Sequence, residues 1–344
     1  MNGYLEDVLG QPASLRAAMA FYAAEGYAGK APDRRGFDRV LFAGMGSSNY
    51  CSIGAAMHLN SRGVPARTVS AGQLLDYELP SIDAGTLVVL VSQSGESGEI
   101  VRLCEALPRE TRVFGITNVP SSTLGRRADA SFVLKVAAEE AVSTRTYLSS
   151  WTLAGLLARG IAGGSGERFL AGAAGAAQAL EAFLADHEAL GRRMGDFLPE
   201  PHFVCVLGKG HSLATVHAGA LFNSELAKHP AFGLDTNEFR HGPFEMVEPG
   251  FGALMLAPDG AAYGTNERMA RDIAARGGKV VFITDRRPSF SDPKVLVVEY
   301  PRVEEAFTPL VDIGAVQLFA NALAEARGVE IGKFRWGTKI TAVL

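Results

Sequence analysis

The apolar positions of this chain fall into short, dense runs separated by longer amphipathic stretches. Arg39-Val-Leu-Phe-Ala43, Thr86-Leu-Val-Val-Leu-Val91 and Arg112-Val-Phe-Gly-Ile-Thr117 lack polar alternation, as strands buried on both faces do. Ala66-Arg-Thr-Val-Ser70 reads as a shorter strand and Ser131-Phe-Val-Leu-Lys-Val136 as a fifth. Between them lie helical patterns, over Tyr50 to Ser61 and Gly98 to Leu107, and one opens the chain after Pro12. This alternation predicts an α/β fold, a parallel sheet flanked by helices in three layers. Around residues 160–195 the character changes to a Gly-rich loop and an Ala-rich stretch without strand pattern, read as a helical connection. Strand patterns then resume at His202–Leu207, Gly252–Ala257, Lys279–Thr284 and Val295–Tyr300, and a helix over Leu310 to Arg327 closes the series.

The second half repeats the first. Leu41-Phe-Ala-Gly-Met-Gly-Ser-Ser48 and Val206-Leu-Gly-Lys-Gly-His-Ser212 share strand, G-x-G and hydroxyl, which reads as a duplicated α/β domain. The expected organisation is a helical segment (1–30), a first domain (31–160), a helical linker (161–195), a second domain (196–330) and a tail (331–344).

Composition narrows the function. The 344 residues are 47% hydrophobic and 20% charged, with a formal charge of −4. That balance gives no general attraction to nucleic acid or an anionic membrane, so any anion site must be built locally. Cys51, Cys104 and Cys205 are dispersed and odd in number, neither a disulfide framework nor a metal spacing. The acidic start Met-Asn-Gly-Tyr-Leu-Glu-Asp has no basic-then-apolar leader pattern, and no uncharged apolar stretch is long enough to span a bilayer. A cytoplasmic protein working without metal or cofactor is expected.

The densest candidate chemistry is Ser92-Gln-Ser-Gly-Glu-Ser97, placed between a buried strand and a helix. Unpaired N–H groups at a helix start attract anions, and serine hydroxyls add uncharged donors. Such a turn fits a phosphate, though ordinary capped turns use the same residues. Neither G-x-G continues into G-x-G-x-x-G, and no G-x-x-x-x-G-K-[ST] loop is present, so a small phosphorylated metabolite is favoured over a nucleotide. Ser47, Ser48, Ser92, Ser94 and Ser97 are the candidate donors, with Gln93 available to a sugar hydroxyl. In the second half, Glu225 and His241 are candidate proton carriers. Lys339 lies in an apolar, aromatic tail, Phe334-Arg-Trp-Gly-Thr-Lys-Ile-Thr-Ala-Val-Leu344, where partial desolvation would ease imine chemistry.

These residues, with Ile116-Thr-Asn-Val-Pro-Ser-Ser122, Val142-Ser-Thr-Arg145 and Glu238-Phe-Arg-His-Gly-Pro243, resemble the SIS (sugar isomerase) domain family. From about residue 30 onward the chain is similar to the isomerase half of the glutamine–fructose-6-phosphate aminotransferases. The resemblance implies two tandem SIS domains and a sugar-phosphate pocket at Ser47, Ser48, Ser92, Gln93, Ser94 and Ser97, with Ser143 and Thr144 on the adjoining loop. It implies that Glu225 moves a proton between C1 and C2, that His241 opens the sugar ring from a neighbouring subunit of a homodimer, and that Lys339 forms an imine with a ketose.

Departures from that pattern redirect the expected reaction. A chain that opens on Met-Asn and passes straight into the sugar domains is not expected to use glutamine. The triplet Gly219-Ala-Leu221 is flanked by Ala218 and Phe222, where the synthases carry Glu and Lys, and Arg145 stands where Lys is usual. The expectation is therefore a phosphosugar isomerase-deaminase resembling the SIS-type glucosamine-6-phosphate deaminases. The alternatives are a fructosamine-6-phosphate deglycase or a non-catalytic sugar-phosphate sensor.

Overall fold

The computed structural model describes residues 1–31, 36–140 and 142–338. By their contacts they form two compact units. The first lobe comprises Ala13–Ala138 with Ser143–Ala174, joined by the described residues from Phe334 on; the second comprises Met1–Pro12, Glu139–Val142 and Gly175–Lys333.

Two helices open the chain, α1 (Gly3–Leu9) and α2 (Gln11–Ala24). The first lobe then runs β1 (Arg39–Gly44), α3 (Ser47–Tyr50), α4 (Ile53–Ser61), β2 (Ala66–Ser70), α5 (Ala71–Gln73), β3 (Thr86–Val91), α6 (Gly98–Ala106), β4 (Arg112–Thr117), α7 (Thr123–Arg127), β5 (Ala130–Val133) and α8 (Arg145–Ile161). Its strands are all parallel, in the order β2-β1-β3-β4-β5. Every residue of β3 is buried, as its unbroken apolar run requires of a central strand covered on both faces. Leu41, Val88 and Leu90 from the sheet pack with Ile100, Leu103 and Leu124 from the helices.

The stretch expected as a linker is helical, as α9 (Gly166–Leu184) and α10 (His187–Phe197). By contacts, the boundary between the two units falls within α9, at Ala174 and Gly175. The N-terminal segment is likewise divided, at Pro12 and Ala13. The second lobe continues with β6 (Val204–Gly208), α11 (Leu213–Leu226), β7 (Ala231–Asp235), α12 (Thr236–Arg240), β8 (Gly252–Leu256), α13 (Tyr263–Ala275), β9 (Lys279–Thr284), β10 (Val295–Glu299) and α14 (Pro309–Ala326). Its sheet is also all parallel, in the order β10-β9-β8-β6-β7. Written from each lobe's own first strand, the two orders are the same.

That order fixes where a ligand can sit. In each sheet the chain steps from its first strand to one side, then crosses back to the other. The crevice left outside the carboxyl ends of the strands at the reversal is where open α/β sheets bind ligands. In the first lobe the reversal lies between β1 and β3, the strands that lead into Ser47 and Ser92.

The repeated glycines follow from backbone geometry. A Cβ on Gly44 would lie 2.7 Å from the Ser48 carbonyl oxygen and 2.9 Å from that of Val91. Gly46 has φ +52°, in the left-handed region glycine accepts. In the second lobe, a Cβ on Gly208 would lie 2.9 Å from Val216, and Gly210 has φ +65°. Each lobe thus leaves its first strand through one close approach and one left-handed turn.

Candidate functional site

The loop after β3 is a braced cradle. Ser92 is buried, its backbone N–H donates to the Ile116 carbonyl, and its hydroxyl accepts from the Gly95 N–H at 3.1 Å. The Gln93 carbonyl accepts from the Asn118 N–H at 2.9 Å and from the Thr117 hydroxyl at 3.2 Å. Ser94 accepts from the Glu96 N–H at 3.1 Å. The Glu96 carboxylate turns to α7, accepting from the backbone and hydroxyl of Thr123 at 2.7 and 2.9 Å. Gly95 has φ +66°, and a Cβ there would lie 2.0 Å from the Ser122 hydroxyl. Thr117 and Asn118, to which the sequence pattern assigned no role, bond to the loop and hold it in shape.

Ser97 is the N-cap of α6, yet its side chain makes no capping bond to that helix. Its hydroxyl lies 3.4 Å from that of Ser92. The first N–H groups of α6 therefore have no side-chain cap, and they point where a helix start favours negative charge. Ser47 and Ser48 open α3 in the same lobe and are half-buried, while Gly46 in the N-cap position supplies no side chain. Ser143 and Thr144 lead into α8; Thr144 is fully buried, and the Ser143 hydroxyl lies 2.7 Å from that of Thr146. The first lobe thus holds all eight candidate binding residues, and the Ser92–Ser97 loop combines hydroxyls with uncapped helix N–H groups.

The second lobe carries the candidate proton carriers. Glu225 lies in the last turn of α11 and is partly buried. Burial pushes its carboxyl up from the usual glutamate range, and the nearby Lys228 pulls it down. The partial negative charge of the helix C-terminus also opposes ionisation there. A carboxyl raised in this way is a stronger base than an ordinary glutamate. His241 follows α12 as its C-cap, is exposed, and donates its backbone N–H to the Glu238 carbonyl at 3.0 Å. Gly242 has φ +134°, so the turn after His241 needs a glycine. Lys339 lies outside the described residues.

The second copy of the hydroxyl turn has another use. Ser212 and Thr215 both donate to the carboxyl of Asp312, at 3.0 and 2.7 Å. All three side chains are buried. Asp312 belongs to the first turn of α14, so an internal carboxyl occupies the hydroxyls that a bound anion would otherwise claim. Burial raises that carboxyl to about 7, against the lowering effect of the Thr215 and Ser212 bonds.

Comparison with known proteins agrees with this architecture. Residues 36–159 match the SIS domain family model. The chain is 27% identical over 309 residues to glutamine–fructose-6-phosphate aminotransferase (isomerizing) of Thermococcus kodakarensis, covering 87% of this chain and 51% of that protein. It is 29% identical over 343 residues to the same enzyme of Aeropyrum pernix, covering 96% and 53%. The chain therefore spans about half the length of the curated relatives it matches. The fold is shared with the C-terminal domain of glucosamine-fructose-6-phosphate aminotransferase from Francisella tularensis (TM-score 0.82, 18% identity, 96% of this chain and 98% of that one). It is also shared with glucosamine-6-phosphate deaminase from Thermotoga maritima (TM-score 0.81, 20% identity, 98% and 99%). A third example is tagatose-6-phosphate ketose/aldose isomerase from Escherichia coli (TM-score 0.81, 17% identity, 97% and 97%). No helix among the described residues is long and apolar enough to cross a membrane.

Proposed function

We propose that this chain, whose residues 36–159 match the SIS domain family and whose two parallel sheets share one strand order, is a tandem SIS-domain isomerase-deaminase of amino-sugar 6-phosphates. The observation that carries this reading is the uncharged anion cradle at Ser92–Ser97 in the first lobe; the second lobe, by itself, carries a partly buried carboxyl at Glu225 that burial raises. The cradle supplies phosphate recognition, with Ser47, Ser48, Ser143 and Thr144 contributing further hydroxyls. Gln93 reads a sugar hydroxyl.

The reaction runs in four steps. His241 assists ring opening, which exposes the C1 aldehyde. Glu225 removes the C2 proton as an enolamine forms, and the proton is returned to C1, which becomes a hydroxymethyl group. The resulting C2 imine adds water, the C–N bond breaks, and ammonia leaves with a ketose 6-phosphate. Lys339 holds the open-chain carbonyl or forms a transient imine with it. The exposure of His241 fits a homodimer in which this ring serves the neighbouring subunit. The named activities of the Thermotoga maritima deaminase and the Escherichia coli ketose/aldose isomerase support the same class of chemistry.

Glucosamine 6-phosphate supplied to the purified chain is expected to yield ammonia and fructose 6-phosphate in equal amounts. Saturable binding of that compound without release of either product would reject the reading. Within the cradle, Ser97→Ala removes a hydroxyl donor to a charged group. The Michaelis constant for a phosphosugar is expected to rise roughly 10- to 100-fold with turnover little changed. An unaltered Michaelis constant would remove Ser97 from the phosphate site.

A further inference from the structure

The turn that follows α11 is strained where nothing in its sequence asks for strain. Lys228 has φ +51°, a left-handed conformation unfavourable for a residue with a Cβ. Its ammonium folds back and donates to the carbonyl of Glu225. Glu200 is a second non-glycine residue in this region, with φ +32°. Arg327 links the two: its guanidinium pairs with the Glu200 carboxylate and donates through Nε to the Ala227 carbonyl at 3.2 Å. His229, next along, is buried, and burial together with Arg327 lowers the proton affinity of its ring. Two strained residues and one arginine therefore converge on the three residues after Glu225. Strain of this kind persists only where surrounding structure over-determines it, and it concentrates at functional sites.

We propose that Lys228 is a positioning residue for Glu225. Its left-handed backbone ends α11 and returns its ammonium over the last turn of the helix, where it favours the ionised carboxylate. Glu200 and Arg327 clamp the turn that makes this possible. The inference rests on the reading of Glu225 as the proton carrier, which it extends. The charges that bear on the turn divide cleanly. Arg327, at the end of α14, is paired with Glu200 from the segment before β6, the proton affinity of His229 is lowered, and Lys228 supplies the positive charge that acts on the Glu225 carboxyl. The arrangement answers a conflict built into the site. Burial and the helix terminus both oppose a charge on Glu225, yet a general base must be ionised to accept a proton.

The test is a carboxyl-carbon NMR titration of Glu225 in the full chain labelled at glutamate Cδ, its signal assigned by loss in Glu225→Gln. Lys228→Met is expected to move the midpoint upward by about one pH unit. Lys228→Arg is expected to restore it. Lys228→Gly, which relieves the backbone strain while removing the charge, is expected to show the same upward move in a chain at least as stable. The acid limb of kcat/KM should move upward in parallel in Lys228→Met. A midpoint unchanged in both Lys228→Met and Lys228→Gly would overturn the proposal. Turnover that survives in Glu225→Gln while Lys228→Met still shifts the titration would instead overturn Glu225 as base and leave the role of Lys228 in its charge state standing.

Discussion

Glu225→Gln is expected to reduce ammonia release from glucosamine 6-phosphate by about 10²- to 10⁴-fold, the range a positioned general base contributes. The change keeps the size and shape of the side chain and removes the proton-carrying group. Binding should survive, because the proposed phosphate donors lie on the loop after β3 and at the starts of α3 and α8, none of which contains Glu225. The Michaelis constant is therefore expected to stay within a few-fold while turnover collapses. A variant that lost binding and turnover together would point to damage at the end of α11. A variant with full turnover would remove Glu225 from the reaction. The wild-type acid limb should lie above the ordinary glutamate range, since the carboxyl is raised by burial.

The second large effect is on stability. Asp312 is buried between Ser212 and Thr215, and its folded-state value of about 7 stands above the ordinary 3.8. A carboxyl raised on folding stabilises the folded chain while it remains protonated. That contribution is complete at pH below the unfolded value and is lost as pH rises through the folded value. Each unit corresponds to about 1.4 kcal/mol, so the loss between pH 4 and pH 8 is on the order of 3 to 4 kcal/mol. Asp312→Asn cannot ionise. Relative to wild type it is expected to be neutral or slightly destabilising at pH 5, where its amide must face two hydroxyls, and stabilising at pH 8. Denaturant unfolding of both proteins at the two pH values measures this difference directly. A difference between variant and wild type that did not change with pH would show that Asp312 titrates in its ordinary range.

Asp312 also marks where the two halves part company in a way the linear pattern did not reveal. Both carry strand, G-x-G and hydroxyl, and both glycine pairs combine a close approach with a left-handed turn. The first lobe's hydroxyl-bearing turns open α3 and α6, whereas the second lobe's Ser212 and Thr215 are taken by a carboxyl from a helix almost a hundred residues further on. Only the folded chain brings that partner into view. The buried strands were legible because parallel strands covered on both faces are continuous apolar runs, as β3 is. β7 was not. Its five residues, Ala231-Phe-Gly-Leu-Asp235, are all half-buried and include a glycine, so they carry neither a dense run nor an alternation. Gly233 is there because α11 packs so close that a Cβ would lie 2.6 Å from the Val216 carbonyl oxygen. The helix expected over Tyr50 to Ser61 is broken at Cys51 and Ser52 into α3 and α4, a division that propensity alone does not signal.

The candidate site divides along similar lines. Ser92–Ser97 was readable because hydroxyl residues, a glycine and a helix pattern stood together after a strand. The residues that brace it, Thr117 and Asn118, lie one strand further along the chain, and their role appears only once β4 is placed beside β3. The strain at Lys228 was invisible for another reason. Lysine is an ordinary helix-end residue, and nothing in the sequence marks a positive φ.

The central claim is that Glu225 relays a proton between adjacent carbons of a sugar held by its phosphate. Proton NMR of fructose 6-phosphate and ammonium ion with the wild-type chain in deuterated water, beside a Glu225→Gln control, tests it most directly. The account predicts that a C1 proton of the ketose is replaced by deuterium or carried to C2 of a 2-amino-aldose 6-phosphate by the wild type, and that neither occurs in the variant. A wild-type chain that bound the ketose phosphate yet left its C1 protons as untouched as in the control would contradict it.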